Sequence, residues 1–88
     1  MKVKIYTLVE DYRTYSWEDV WSEYKWEIGD TGTIEEWRKR AIDWVKNEKS
    51  THDGKELIKE LRKLPKDEVM LYISNLWGLD FMESEEER

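Results

Sequence analysis

The chain predicts an α+β fold: an N-terminal β-hairpin over residues 2–10 and 19–28, then three helices over residues 33–47, 53–63 and 65–77. Residues 1–80 read as one compact domain and residues 81–88 as an acidic C-terminal tail. Three observations carry this. The N-terminus alternates with period two, as a half-buried strand does. A central stretch repeats its apolar residues at helical spacing behind a capping box. The last apolar run is bounded by the single proline and by a glycine, which are helix punctuation.

Lys2–Glu10 sets Val3, Ile5 and Val9 on one side, read as the core side, and Lys2, Lys4, Tyr6 and Leu8 on the other. Residues 16–30 fit two templates. As a strand, Val20, Tyr24, Trp26 and Ile28 alternate with Trp21, Lys25 and Glu27; as a helix capped by Ser16, Trp17, Val20, Trp21, Tyr24 and Ile28 share a face. Strand over 19–28 is the reading, because β-branched and aromatic residues suit a pleated surface and the first strand needs a partner. The helix stays as the alternative. A lone hairpin has two open edges and invites a third strand or intermolecular pairing.

Gly29-Asp30-Thr31-Gly32 reads as a turn into the first helix. Thr33 and Glu36 form the capping box, and Ile34, Trp37, Ala41, Trp44 and Val45 share the apolar face. In the second helix Asp53 and Glu56 repeat the cap spacing, with Leu57, Ile58, Leu61 and Leu64 inward. Pro65 is expected to open the third helix and Gly78 to end it. That helix is apolar nearly all round, so it is either central to the core or covered by a second chain. The tail after it is expected to be solvated and frayed.

Charge is uneven. Residues 1–32 carry net −3, residues 33–66 net +3 and residues 67–88 net −6. Net acidity argues against general nucleic-acid binding and for a basic partner. There is no cysteine, which excludes disulfides and thiolate chemistry and makes an intracellular, cytoplasmic location the expectation. No stretch approaches the roughly 20 apolar residues of a membrane span.

Chemical motifs are sparse. Asp30-Thr31-Gly32 resembles the catalytic tripeptide of aspartic proteases. The resemblance implies an all-β dimer in which two aspartates share a proton. A capped helix following the tripeptide favours a structural turn instead. Gly29-x-x-Gly32 resembles the backbone-clamping loop of KH domains, but it carries an acid and lacks their flanking bases. His52, with Asp53 and Glu56, is the one candidate metal cluster, and it reads as an exposed loop residue beside a cap. Arg38-Lys39-Arg40 is interleaved with Glu35, Glu36 and Asp43 at helical spacing, which favours internal ion pairs over a nucleic-acid face.

Six tryptophans and five tyrosines exceed what a core this small hides easily. Tyr12, Tyr15, Trp17 and Trp21 lie among Glu18, Asp19 and Glu23, and aromatics ringed by acids suit docking onto a basic protein surface. These seven are the expected partner-binding residues, with the acidic tail as the other surface. No catalytic residue, cofactor or metal is expected. The expected function is non-enzymatic: an inhibitor or modulator that mimics nucleic acid on a basic groove, in the manner of phage-encoded anti-defence proteins. The alternative is a homo-oligomeric structural or regulatory domain with the third helix as its interface.

Overall fold

In the computed structural model, which describes residues 1–11, 27–47 and 52–88, the element order is β1 (Lys2–Asp11), β2 (Thr31–Gly32), α1 (Ile34–Asn47), α2 (His52–Lys63), α3 (Lys66–Trp77) and β3 (Leu79–Glu87). The strands form one antiparallel sheet in the order β2-β1-β3, and the three helices share a single core against it. The α+β architecture is therefore as the sequence predicts. Its sheet is built differently. Of the expected second strand, residues 19–26 lie outside the described residues, and Glu27 and Ile28 are not strand. The long partner of β1 is the C-terminal segment expected to fray: Lys2 pairs with Glu87, and the ladder runs to Asp11 opposite Leu79, with one irregularity between Leu8 and Glu10. The expected third strand is thus the tail itself.

The capping box forms as written in the sequence. The Thr33 hydroxyl accepts the Glu36 N–H, and the Glu36 carboxylate accepts the Thr33 N–H, both at 3.2 Å. Helix α1 then buries Trp37, Ala41, Ile42, Trp44 and Val45. Trp37 is fully buried. Its indole N–H donates to the Tyr6 carbonyl of β1 at 2.9 Å, and its ring meets Phe81 of β3 edge-on at 4.8 Å. One side chain so joins helix, central strand and edge strand. Gly32 lies close against the start of α1: a Cβ there would be 3.2 Å from the Glu36 Cβ, a tight contact, and 3.5 Å from the indole nitrogen, an ordinary one.

Helix α2 contributes Leu61, fully buried, with Leu57, Ile58 and Leu64 packed against the core at its margin. It starts at His52, one residue before the expected cap. Pro65 is the residue before α3 and not its first turn; its extended ψ of 152° marks the break. Gly78 ends α3 in the left-handed region at φ 64°, where a side chain would be strained, and its N–H donates to the Ser74 carbonyl. The Ser74 hydroxyl donates to the Leu79 carbonyl and ties the start of β3 to the helix. One side of α3 is central, with Val69 and Ile73 fully buried. The opposite side is open at Leu71, 66% exposed, and Leu76, one turn beyond Ile73, is 44% exposed near the end of the helix.

The face assignment of β1 needs correction. Leu8 is fully buried in the helix-side core and Tyr6 packs against it, although both were expected to point outward. Ile5 is also buried, but it lies on the opposite face by strand alternation and outside that core cluster. A central strand has two faces to cover, so strict alternation in the sequence does not say which one meets the helices.

Two outcomes are expected. Trp37→Ala should lower unfolding free energy by about 3–5 kcal/mol, through lost burial and a residual cavity; urea denaturation measures it, and a change within error would place this face in solvent. Thr33→Ala should cost about 1 kcal/mol for the lost cap. The Glu36 carboxyl is held below its usual range, first by the Thr33 N–H and then by the Thr33 hydroxyl, with Arg88 helping against partial desolvation. A depressed carboxyl stabilises above the unfolded value of about 4.3 and loses that contribution as pH falls through its folded value. Glu36→Gln should remove this part of the acid limb in a series of thermal melts.

Candidate functional site

The most distinctive described surface is the acidic strand β3. It holds Asp80, Glu83, Glu85, Glu86 and Glu87 and no basic residue. From Glu83 onward every residue is exposed. Acidic residues are poor strand formers, and the pairing compensates. In register, Lys2 faces Glu87, Lys4 faces Glu85 and Tyr6 faces Glu83. Glu83 accepts the Tyr6 hydroxyl at 2.8 Å and lies 3.6 Å from the Lys4 ammonium. Glu87 accepts the Met1 ammonium at 2.9 Å. Arg88 lies 3.6 Å from Glu86 and 3.7 Å from Glu36 of α1. Exposed pairs of this kind contribute about 0–1 kcal/mol each, so they set register more than they stabilise. Asp80 and Glu85 have no ion pair among the described residues.

The other candidate groups are structural. Asp30 sits 2.8 Å from the Arg40 guanidinium and accepts the Glu27 N–H at 3.1 Å, which closes the turn before β2. Thr31 and Gly32 pair with Thr7 and Tyr6 of β1. The tripeptide is thus held as a turn that leads through β2 into α1.

Arg38 and Arg40 of the basic triplet of α1 are engaged internally, Arg38 with the interleaved Glu35. Arg40 lies over the Trp37 ring at 4.6 Å. Arg38 donates to the carbonyls of Leu61 and Arg62 at the end of α2, at 2.8 and 3.2 Å. Its Nε lies 3.1 Å from Glu35 in an ion pair that is off the hydrogen-bonding direction. A shallow cleft of about 260 Å³ runs beside α1, lined by Val3, Lys4, Thr33, Ile34, Glu35 and Lys66; its one acid, Glu35, is the partner of Arg38. Among the described residues no three His, Asp or Glu side chains are grouped to hold a metal ion, and no helix is long and apolar enough to cross a membrane.

Of the surfaces expected from sequence, the aromatic loop residues Tyr12, Tyr15, Trp17, Glu18, Asp19, Trp21 and Glu23 lie outside the described residues. The acidic tail is present as an ordered strand. A signal for it exists in the sequence: the alternating Lys2 and Lys4 match the alternating Glu85 and Glu87 at the other end of the chain. No family model, curated protein or solved structure matches this chain.

The Tyr6 hydroxyl reports on the β1–β3 pairing. Its pKa is raised, first by burial and then by the hydrogen bond to Glu83 and its charge. A raised phenol stabilises fully below the unfolded value of about 10 and loses that contribution as pH rises through the folded value. In an ultraviolet difference titration, Tyr6→Phe should remove a late-titrating phenol and flatten the alkaline stability limb. If the late phase survives in the variant, it belongs to another tyrosine.

Proposed function

We propose that this protein is a small, non-enzymatic binder that docks acidic groups onto a basic surface of another macromolecule and modulates or inhibits it. The observation that carries this reading is β3. Successive residues of a strand rise about 3.4 Å, and Glu85, Glu86 and Glu87 therefore present one carboxylate per step on alternate faces. Phosphates along one strand of duplex DNA are spaced by roughly the same 3.4 Å. A basic nucleic-acid groove meeting this edge finds comparable axial charge, which supports nucleic-acid mimicry of the kind used by phage-type inhibitors. The aromatic loop around Trp17 and Trp21 is the second surface in this proposal, supplying apolar anchors.

A second reading has its own observation. Leu71 is exposed on α3 on the side away from the buried Val69 and Ile73, and a homodimer would cover it.

Affinity capture from native lysate, followed by a salt series and competition with duplex DNA, tests the proposal. The expected result is one basic nucleic-acid-binding protein released by both salt and DNA. Replacing Asp80 by asparagine and Glu85 by glutamine should weaken its capture and flatten the salt dependence without altering thermal melting, because both are exposed, have no ion pair among the described residues, and the amides bring no like charge opposite Lys4. Reversing Glu18 and Asp19 instead reads the contribution of the loop. Capture indifferent to salt and DNA overturns the proposal, and a concentration-dependent mass abolished by Leu71→Glu favours the dimer.

A further inference from the structure

We propose that the outer edge of β3 is a strand-addition site for an extended segment carrying lysine or arginine at every second position; this rests on the acidic-binder reading and adds the mode of recognition. Strand β3 is the end strand of the sheet, and among the described residues its only ladder partner is β1. The side of each backbone group follows from the ladder. The Arg88 N–H donates to the Met1 carbonyl at 2.8 Å, so residue 88 is hydrogen-bonded to β1. Hydrogen-bonded positions alternate in an antiparallel pair, which places Glu86, Ser84 and Met82 toward β1 as well. The N–H and C=O groups of Glu83, Glu85 and Glu87 therefore face outward. Side chains alternate with the same period, so those three glutamates also share one face. An incoming strand would meet a carboxylate at every second residue.

The chain itself displays the matching pattern. On the inner edge β1 presents Lys2 to Glu87, Lys4 to Glu85 and the Tyr6 hydroxyl to Glu83. A Lys-x-Lys strand added outside would repeat that arrangement. Edges are commonly protected by proline, lysine or a bulge. Here Leu79–Glu87 has no proline and no lysine, and the irregularity, between Leu8 and Glu10 opposite Phe81 and Asp80, lies away from Glu83–Glu87. Its protection is negative charge alone. That opposes a second copy, which would bring glutamate opposite glutamate, and does not oppose a basic strand.

The test uses the full chain and a blocked peptide alternating lysine and valine (KVKVKVK). Its comparator has the same sequence with alternate backbone nitrogens methylated, so charge is kept and ladder donors are lost. The unmodified peptide should bind, slow hydrogen exchange at the amides of Glu83, Glu85 and Glu87, and lose affinity with salt. The methylated peptide should bind roughly tenfold more weakly or worse, because each ladder hydrogen bond contributes about 0.5–1.5 kcal/mol net. Glu85→Gln should weaken the unmodified peptide while melting stays unchanged, because the amide removes the charge without setting a like charge opposite Lys4. Equal binding of the two peptides, or protection confined to other amides, overturns strand addition and leaves the acidic-binder proposal standing. Binding of neither at low salt overturns both.

Discussion

Trp37 is the constraint on which the described structure depends. Its indole N–H can reach the Tyr6 carbonyl only if α1 starts where it does, directly after a strand two residues long. The capping box sets that start, and the missing side chain at Gly32 spares a tight contact with the Glu36 Cβ. Once the ring is seated, its edge contact with Phe81 positions β3, and the guanidinium of Arg40 covers it while holding the Asp30 turn. Local capping, a close backbone approach and a buried aromatic thus act at one point. A polar N–H in so dry a position must be paired, which is why the hydrogen bond and the packing are inseparable there.

The charge distribution follows from the same arrangement. Arg38 and Arg40 hold α1 to its neighbours, which takes two charges of the basic middle out of play. At the acidic end Glu83, Glu86 and Glu87 are ion-paired, and Asp80 and Glu85 have no ion pair among the described residues. Its carboxylates meet the lysines of β1 along one edge only and leave the opposite edge to solvent. The resulting field is lopsided, and lopsided fields orient a charged partner before contact.

Helix positions were legible in the sequence because their signals are local: Thr33 and Glu36 lie three residues apart, and Pro65 and Gly78 bracket α3 without reference to anything distant. Burial of Trp37, Trp44 and Leu61 was legible for the same reason, since periodicity within one helix reveals its face. The sheet was not. The partner of Lys2 is Glu87, and no local rule promotes a glutamate-rich segment to a strand. Only the cross-chain match between Lys2–Lys4 and Glu85–Glu87 carries that information. The inward face of β1 failed for a related reason: Ile5 and Leu8 are both buried, on opposite faces, so the sequence alternation could not rank them. For the candidate site, acidity near the C-terminus was legible, whereas its conversion into a straight, hydrogen-bonding edge was not.

Pairing the first strand with the last also has a consequence for the order of events in folding. Helices α1 to α3 close contacts over short separations, and helical contacts form quickly. The β1–β3 ladder joins residues 2 and 87, so its loop-closure cost is borne only when nearly the whole chain is available. During synthesis β1 emerges early and waits, with the edge destined for β3 unsatisfied, until residues 79–87 leave the ribosome. The positive charge of Lys2 and Lys4 on that waiting strand discourages association with copies of itself. The acids of β3 so act twice in the life of the molecule: they end the wait of an exposed strand, and they become the exposed strand in its place.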